Sequence, residues 1–224
     1  MAKIANQDAL VWGAGQPPAM EDPLRLLPRG FIKLFSIWVS QTYPFASVGR
    51  GLSVHYTCDM ARSRAHRIKL GDSVRILKDA IIDVIAPPNQ DGEPIVVLDD
   101  HTQIGYRCLV SAKNSIHIER DVIMAQSVVI SDHGYTSADG VRSLREDENP
   151  GGGRIRIGQG SWIGQGAAIV CPRGELVLGR NCVVAAKAVV TRSFPPHSVI
   201  FGNPARVIKQ FDPSKNAWVL GSVS

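Results

Sequence analysis

The fold class predicted for this chain is all-β, a parallel coil in the form of a triangular prism with short strands on three sides. Three observations predict it: an aliphatic residue recurring every six positions, a small residue directly after it, and a scarcity of aromatic rings. Leu98, Ile104, Val110 and Ile116 form one series, Ile118, Met124 and Ile130 a second, Ile157, Ile163 and Ile169 a third, and Leu178, Val184 and Val190 a fourth; a weaker set, Leu70, Ile76 and Ile82, precedes them. Gly71, Gly105, Ser111, Ala125, Gly158, Gly164, Gly179 and Ala185 are among the small residues that follow. Neither a helical period of 3.6 nor simple alternation sustains a six-residue register. A short strand plus a corner uses six residues, and three sides return the chain above its start. Each aliphatic then stacks inside on its counterpart in the next coil, and the small neighbour is expected to let the backbone turn. Aromatics make up only 6% of the 224 residues, as a narrow prism requires. A β-sandwich with fortuitous spacing is the alternative, and it leaves the register unexplained.

The elements follow in chain order. Residues 1–67 form an N-terminal segment, within which LRLLPRGFIKLFSIWVSQTYPF predicts an amphipathic helix beginning near Pro28, with Phe31, Leu34, Phe35, Trp38 and Val39 on one face. Packing on the first coil or on a neighbouring subunit is favoured over peripheral docking on a membrane, because only Arg25, Arg29 and Lys33 supply a basic flank. Residues 68–209 form the coil. DVIAPPNQDGEPIVV, between Ile82 and Leu98, and SDHGYTSADGVRSLREDENPGGGRIR, between Ile130 and Ile157, break the register with turn residues and predict extruded loops. The second contains the loop 134–153, long enough to be functional. PRGELV after Cys171 is a small third insertion, and residues 210–224 form a C-terminal tail.

Composition narrows the function classes. Hydrophobic residues at 44% and charged residues at 20% suit one globular domain. Cys58, Cys108, Cys171 and Cys182 have no CxxC spacing and predict buried free thiols, hence a reducing, cytoplasmic setting. No apolar run is long enough for a membrane span, and the first residues do not read as a signal peptide. The net charge of +5 is concentrated in Arg62, Arg64, Arg67, Lys69, Arg75 and Lys78 and, near the end, Arg192, Arg206, Lys209 and Lys215. This favours anionic partners. No nucleic-acid motif accompanies it, so phosphates on a small molecule are expected rather than nucleic acid.

His133 is the candidate general base. It falls just past a regular side, at the root of the longest loop, and imidazole suits proton abstraction near neutral pH. Asp132 beside it either orients the ring or starts the loop. His101, His117 and His133 are evenly spaced, but sixteen residues does not match a coil of about eighteen and no HxxxH pair exists, so no metal is expected.

The stretch GSWIGQGAAIVCP, followed by LGRNCVVAAKAVVTRSFPPHSVIFGNPARVIK, resembles the C-terminal signature of hexapeptide-repeat acetyltransferases, and SDHGY before a long loop resembles their sugar O-acetyltransferase branch. The resemblance spans about residues 68 to 209. It implies a left-handed coil, a handedness rare among parallel crossovers, and a homotrimer with active sites between subunits and acetyl-CoA along the groove. It also assigns His133 as general base, Trp162 to the cleft, Asn114 to the acceptor side, the Ala186 backbone to pantetheine, and Thr191, Arg192, Arg206 and Lys209 to the nucleotide and its phosphates. The chain departs from the pattern in reading Asp-His-Gly-Tyr where many relatives have a second histidine, and in the corner lengthened by PRGELV.

The resulting expectation is an acetyl-CoA-dependent O-acetyltransferase acting on a sugar hydroxyl of a surface polysaccharide or its precursor. The alternatives are N-acetylation of an amino sugar or other small acceptor, a metal enzyme of the γ-carbonic-anhydrase type, and a scaffold without catalysis.

Overall fold

The computed structural model describes residues 23–85, 92–134, 151–212 and 214–220. The interiors of both predicted loops, the first 22 residues and the last four lie outside them. Three parallel sheets form the sides of a prism. The first stacks Ser47–Val48, Ile68–Leu70, Val96–Leu98, Ser115–Ile118, Arg154–Ile157 and Glu175–Leu178 in that order. The second stacks Ser53–Val54, Arg75–Ile76, Gln103–Ile104, Ile123–Met124, Trp162–Ile163, Val183–Val184 and Ser198–Phe201. The third stacks Asp59–Met60, Ile81–Val84, Leu109–Ala112, Val129–Ser131, Ala168–Val170 and Val189–Val190.

The repeat becomes columns of buried side chains. Leu70, Leu98, Ile118, Ile157 and Leu178 are register partners on the first face, all within 1% of complete burial. Met60, Ile82, Val110, Ile130, Ile169 and Val190 do the same on the third. Each inner residue therefore contacts its own coil and those above and below, and truncating one to Ala costs about 2–5 kcal/mol. All four cysteines are free. Cys108 Sγ donates to the Ala125 carbonyl at 3.0 Å and Cys182 Sγ to that of Pro195 at 3.3 Å, so these thiols fill corners and link coils.

The corner is built differently from the sequence expectation. The residue that turns the chain lies three positions after the inward aliphatic: Ser73, Asp79, His101, Arg107, Asp121, Ser127, Asn181 and Lys187 hold φ between 53° and 61°, and Gly160 and Gly166 take the same place elsewhere. The small residue directly after the aliphatic has another task. A Cβ on Gly158 would sit 2.5 Å from the Arg180 nitrogen, and one on Gly164 2.6 Å from that of Ala186. Those glycines are needed because the next coil's backbone lies against them.

The coil also begins earlier than residue 68. Val48, Val54 and Met60 already occupy the three sides, ahead of a 3-10 helix at Arg62–Arg67. The helix runs over Pro23–Thr42, with Pro28 inside it near the N-terminal end, where a missing N–H is better tolerated. It packs on the first coil: Val39 and Ser36 are buried, and the Val54 N–H donates to Ser36 Oγ at 2.8 Å. Phe31, Leu34, Ile37 and Trp38 stay exposed. No helix among the described residues is long and apolar enough to cross a membrane. At the other end, the tail is structured in part: Arg206–Asp212 and Ala217–Leu220 extend the second sheet by antiparallel pairing.

Candidate active site

His133 follows the end of a third-face strand, where the chain leaves the prism. His133–Gly134 pairs antiparallel with Gly151–Gly152, so the long loop departs and returns through a two-rung neck. Gly153 N–H closes the neck by donating to the Asp132 carbonyl at 2.6 Å and to that of Cys171 at 3.1 Å. Two of the glycines are explained by crowding: a Cβ on Gly152 would lie 2.6 Å from Asn114 Nδ2, and one on Gly153 2.6 Å from Cys171.

Asp132 is fully buried. Its carboxylate accepts the backbone N–H groups of Lys113 at 2.7 Å and of Asn114 and Ser115 at 2.8 Å each, and lies 3.2 Å from His133 Nδ1. Four donors thus converge on two oxygens, which suits an acceptor-only group. The contact fixes the imidazole tautomer: Nδ1 carries the hydrogen toward Asp132, leaving the Nε2 lone pair for an incoming proton. Nε2 has no hydrogen-bond partner among the described residues, and the His133 side chain is 12% exposed. Ser131 Oγ, 3.3 Å from Nδ1, donates to the His133 carbonyl at 2.9 Å. Sequence reasoning missed Ser131 and the amides of 113–115, because strand residues and main-chain groups carry no motif.

The other candidates separate into groups. The side chain of Asn114 lies over Gly152, so it borders the neck. Thr191 and Arg192 follow a third-face strand on the same prism edge as His133, two coils or about 10 Å along it. Arg192 lies over the Phe194 ring, 5.4 Å from its centre. Trp162, 45% exposed, is on the second face, where Arg206 pairs with Phe201 and Lys209 with Val199 at the sheet's far end. Ala186 sits at the corner between the second and third faces, after Val183–Val184. A single chain therefore gathers Asn114 beside His133 but not Trp162, Ala186, Arg206 and Lys209. His101 turns a corner and His117 Nε2 pairs with Asp99 at 2.8 Å; among the described residues no three His, Cys, Asp or Glu side chains converge to hold a metal.

No family model matches the chain. It is 27% identical over 133 residues to WbbJ of Escherichia coli K12, named provisionally as a lipopolysaccharide biosynthesis O-acetyl transferase; the match covers 57% of this chain and 66% of WbbJ. A Mycobacterium tuberculosis protein, also named provisionally as an acetyltransferase, is 26% identical over 166 residues, 72% of this chain and 49% of its own. The chain thus spans less than two thirds of either relative. AntD, an N-acyltransferase from Bacillus cereus solved with dTDP and 3-hydroxybutyryl-CoA, superposes with a TM-score of 0.63 at 16% identity, covering 84% of this chain and 90% of AntD. The chain is a left-handed parallel β-helix of hexapeptide repeats, related in sequence to acetyltransferases.

Proposed function

We propose that this protein is an acetyl-CoA-dependent O-acetyltransferase acting in the cytosol on a sugar hydroxyl of a surface polysaccharide or its precursor. The Asp132–His133 pair carries the proposal: a ring oriented by a buried carboxylate at the neck of an extruded loop. His133 Nε2 takes the acceptor hydroxyl proton as that oxygen attacks the thioester carbonyl. Asp132 stabilises the imidazolium, which returns the proton to the departing CoA sulfur as the C–S bond breaks. A positioned base contributes about 10²–10⁴ in rate, and alignment of the two substrates supplies much of the remainder.

The CoA roles rest on chemical fit. Thr191 and Arg192 share the His133 edge, and Arg206 and Lys209 provide cations suited to the nucleotide phosphates. Trp162 offers an exposed ring to the cleft and Ala186 an exposed corner backbone to pantetheine. On this reading the residues on two prism sides line one groove between packed copies, and the family resemblance implies that the copies form a homotrimer. An outward apolar column on the third face, Ile81, Leu109, Val129, Ala168 and Val189 in register, supports the same assembly.

Sugar acceptors are favoured by the similarity to WbbJ. An amino sugar is the second reading, suggested by AntD, which shares the fold and was also solved with dTDP-4-amino-4,6-dideoxyglucose. The test is incubation with acetyl-CoA and a panel of nucleotide sugars and oligosaccharides, followed by product analysis. A base-labile, hydroxylamine-sensitive ester supports O-transfer; a stable amide establishes the second reading, and thioester consumption with no acceptor in the panel acetylated contradicts both.

A further inference from the structure

A second candidate site lies at the N-terminal end of the coil and does not include His133. Between the N-terminal helix and the first coils of the second face there is a cleft of about 540 Å³, within the range of small-molecule sites. Arg29 and Lys33 line it from the helix, His55 from the corner after Ser53–Val54, and Arg75 from the next strand; none of its lining residues is acidic. Lys33 and Arg75 form no ion pair among the described residues, so two of these cations face the cleft without a carboxylate to neutralise them.

His55 adds a donor rather than a charge. The Thr57 N–H donates to its Nδ1 at 3.3 Å and Thr57 Oγ1 lies 2.9 Å from the same atom, which puts the ring hydrogen on Nε2. Burial, and then Lys78, push its pKa down against the opposing influence of Asp79, in the same sense as the hydrogen bond that Nδ1 accepts. An apolar floor is contributed by Ile32, Leu52 and Leu77, while Ile76 turns its side chain into the prism; the half-exposed Tyr106 lines the cleft as well. Guanidinium groups match phosphate oxygens in pairs, and an apolar floor beside them suits the organic part of the same molecule.

We propose that this cleft binds a phosphate-bearing organic ligand through Lys33, Arg75 and Arg29. The site is separate from the cations assigned to CoA: six strand spacings of the second sheet, about 29 Å, lie between Arg75 and Arg206. It does not rest on the acetyltransferase reading, and it accommodates two sources of the same chemistry, a soluble diphosphate such as that of a nucleotide or the headgroup of a phospholipid.

Calorimetric titration of the full chain with pyrophosphate and with UDP, and co-sedimentation with phosphatidylcholine vesicles with and without phosphatidic acid, test the proposal. The variants are Lys33→Glu/Arg75→Glu, with the Arg206→Ala/Lys209→Ala protein as control and melting curves to check folding. Both changes in the charge-reversal variant fall on solvent-facing side chains, so its melting curve is expected to match wild type. Binding of UDP, tighter than pyrophosphate, that weakens at least tenfold on charge reversal and is unchanged in the control supports the proposal with a soluble ligand. Binding only to vesicles containing phosphatidic acid, lost on charge reversal, supports it with a lipid. No binding in any arm, or binding insensitive to Lys33 and Arg75, overturns it. A charge-reversal protein that does not fold directs the same comparison to Arg75→Gln and Lys33→Gln, where undiminished binding equally overturns it.

Discussion

Two adjacent residues divide the work at the neck of the loop. Asp132 touches no solvent and spends its oxygens on three main-chain N–H groups and one ring nitrogen. Replacing it by Ala leaves those donors unpaired in a buried place, so Asp132→Ala is expected to lose about 1–3 kcal/mol of stability in urea unfolding as well as most of its activity. Asp132→Asn retains the shape but turns one acceptor oxygen into an NH2 donor; with the amide oxygen kept on Asn114 and Ser115, the NH2 faces His133 Nδ1 and no longer holds its tautomer. It is expected to stay folded with a rate lowered by about two orders of magnitude or more, read as a fall in kcat with little change in the KM for acetyl-CoA. The position of His133 was legible in the sequence because a histidine at the root of a long loop stands out. The grip on Asp132 was not, since main-chain donors from the corner between Leu109–Ala112 and Ser115–Ile118 leave no trace in side-chain identity.

At the scale of the elements, stability is set by how closely one coil lies on the next. Gly158→Val would place a Cβ against the Arg180 backbone, where no side chain can rotate away, and is expected to cost about 3 kcal/mol or more. Glu119 joins coils from outside: it accepts the Gln159 N–H at 2.8 Å and pairs with Arg156 at 2.6 Å. Burial would raise its pKa, but the Gln159 N–H and the Arg156 guanidinium outweigh this and hold it below the usual value. A carboxylate depressed in the folded state stabilises above its unfolded pKa, and that contribution disappears as pH falls through the folded value. Glu119→Gln should therefore lower Tm at pH 7, with the difference from wild type closing below about pH 4.5; a constant difference down to pH 3 would contradict it. The columns of aliphatics were readable from their six-residue spacing. The first coil carries the same spacing in Val48, Val54 and Met60, yet the ten-residue step from Met60 to Leu70, filled by Arg62–Arg67, hides its continuity. The corner conformation was invisible for another reason: serine, aspartate, histidine, arginine, asparagine and lysine all take the positive φ, so residue type does not mark the turn.

For the whole molecule, candidates on different sides of the prism make the proposed activity depend on the proposed assembly. Trp162, Arg206 and Lys209 share the second face while His133 projects where the third face ends. Light scattering after gel filtration is expected to give the mass of three chains. Val129→Asp, in the middle of the outward apolar column, should yield monomers that have lost acetyl transfer while keeping the β-rich circular dichroism spectrum. A monomeric and fully active wild-type protein would separate activity from assembly. The central claim, that His133 is the base of an acetyl transfer, is tested most directly by measuring kcat/KM for acetylation of the best sugar acceptor with wild type and His133→Ala, alongside CoA affinity. A loss of about 10²-fold or more is expected in the variant with CoA affinity unchanged; full transfer by the His133→Ala protein would rule out His133 as the base.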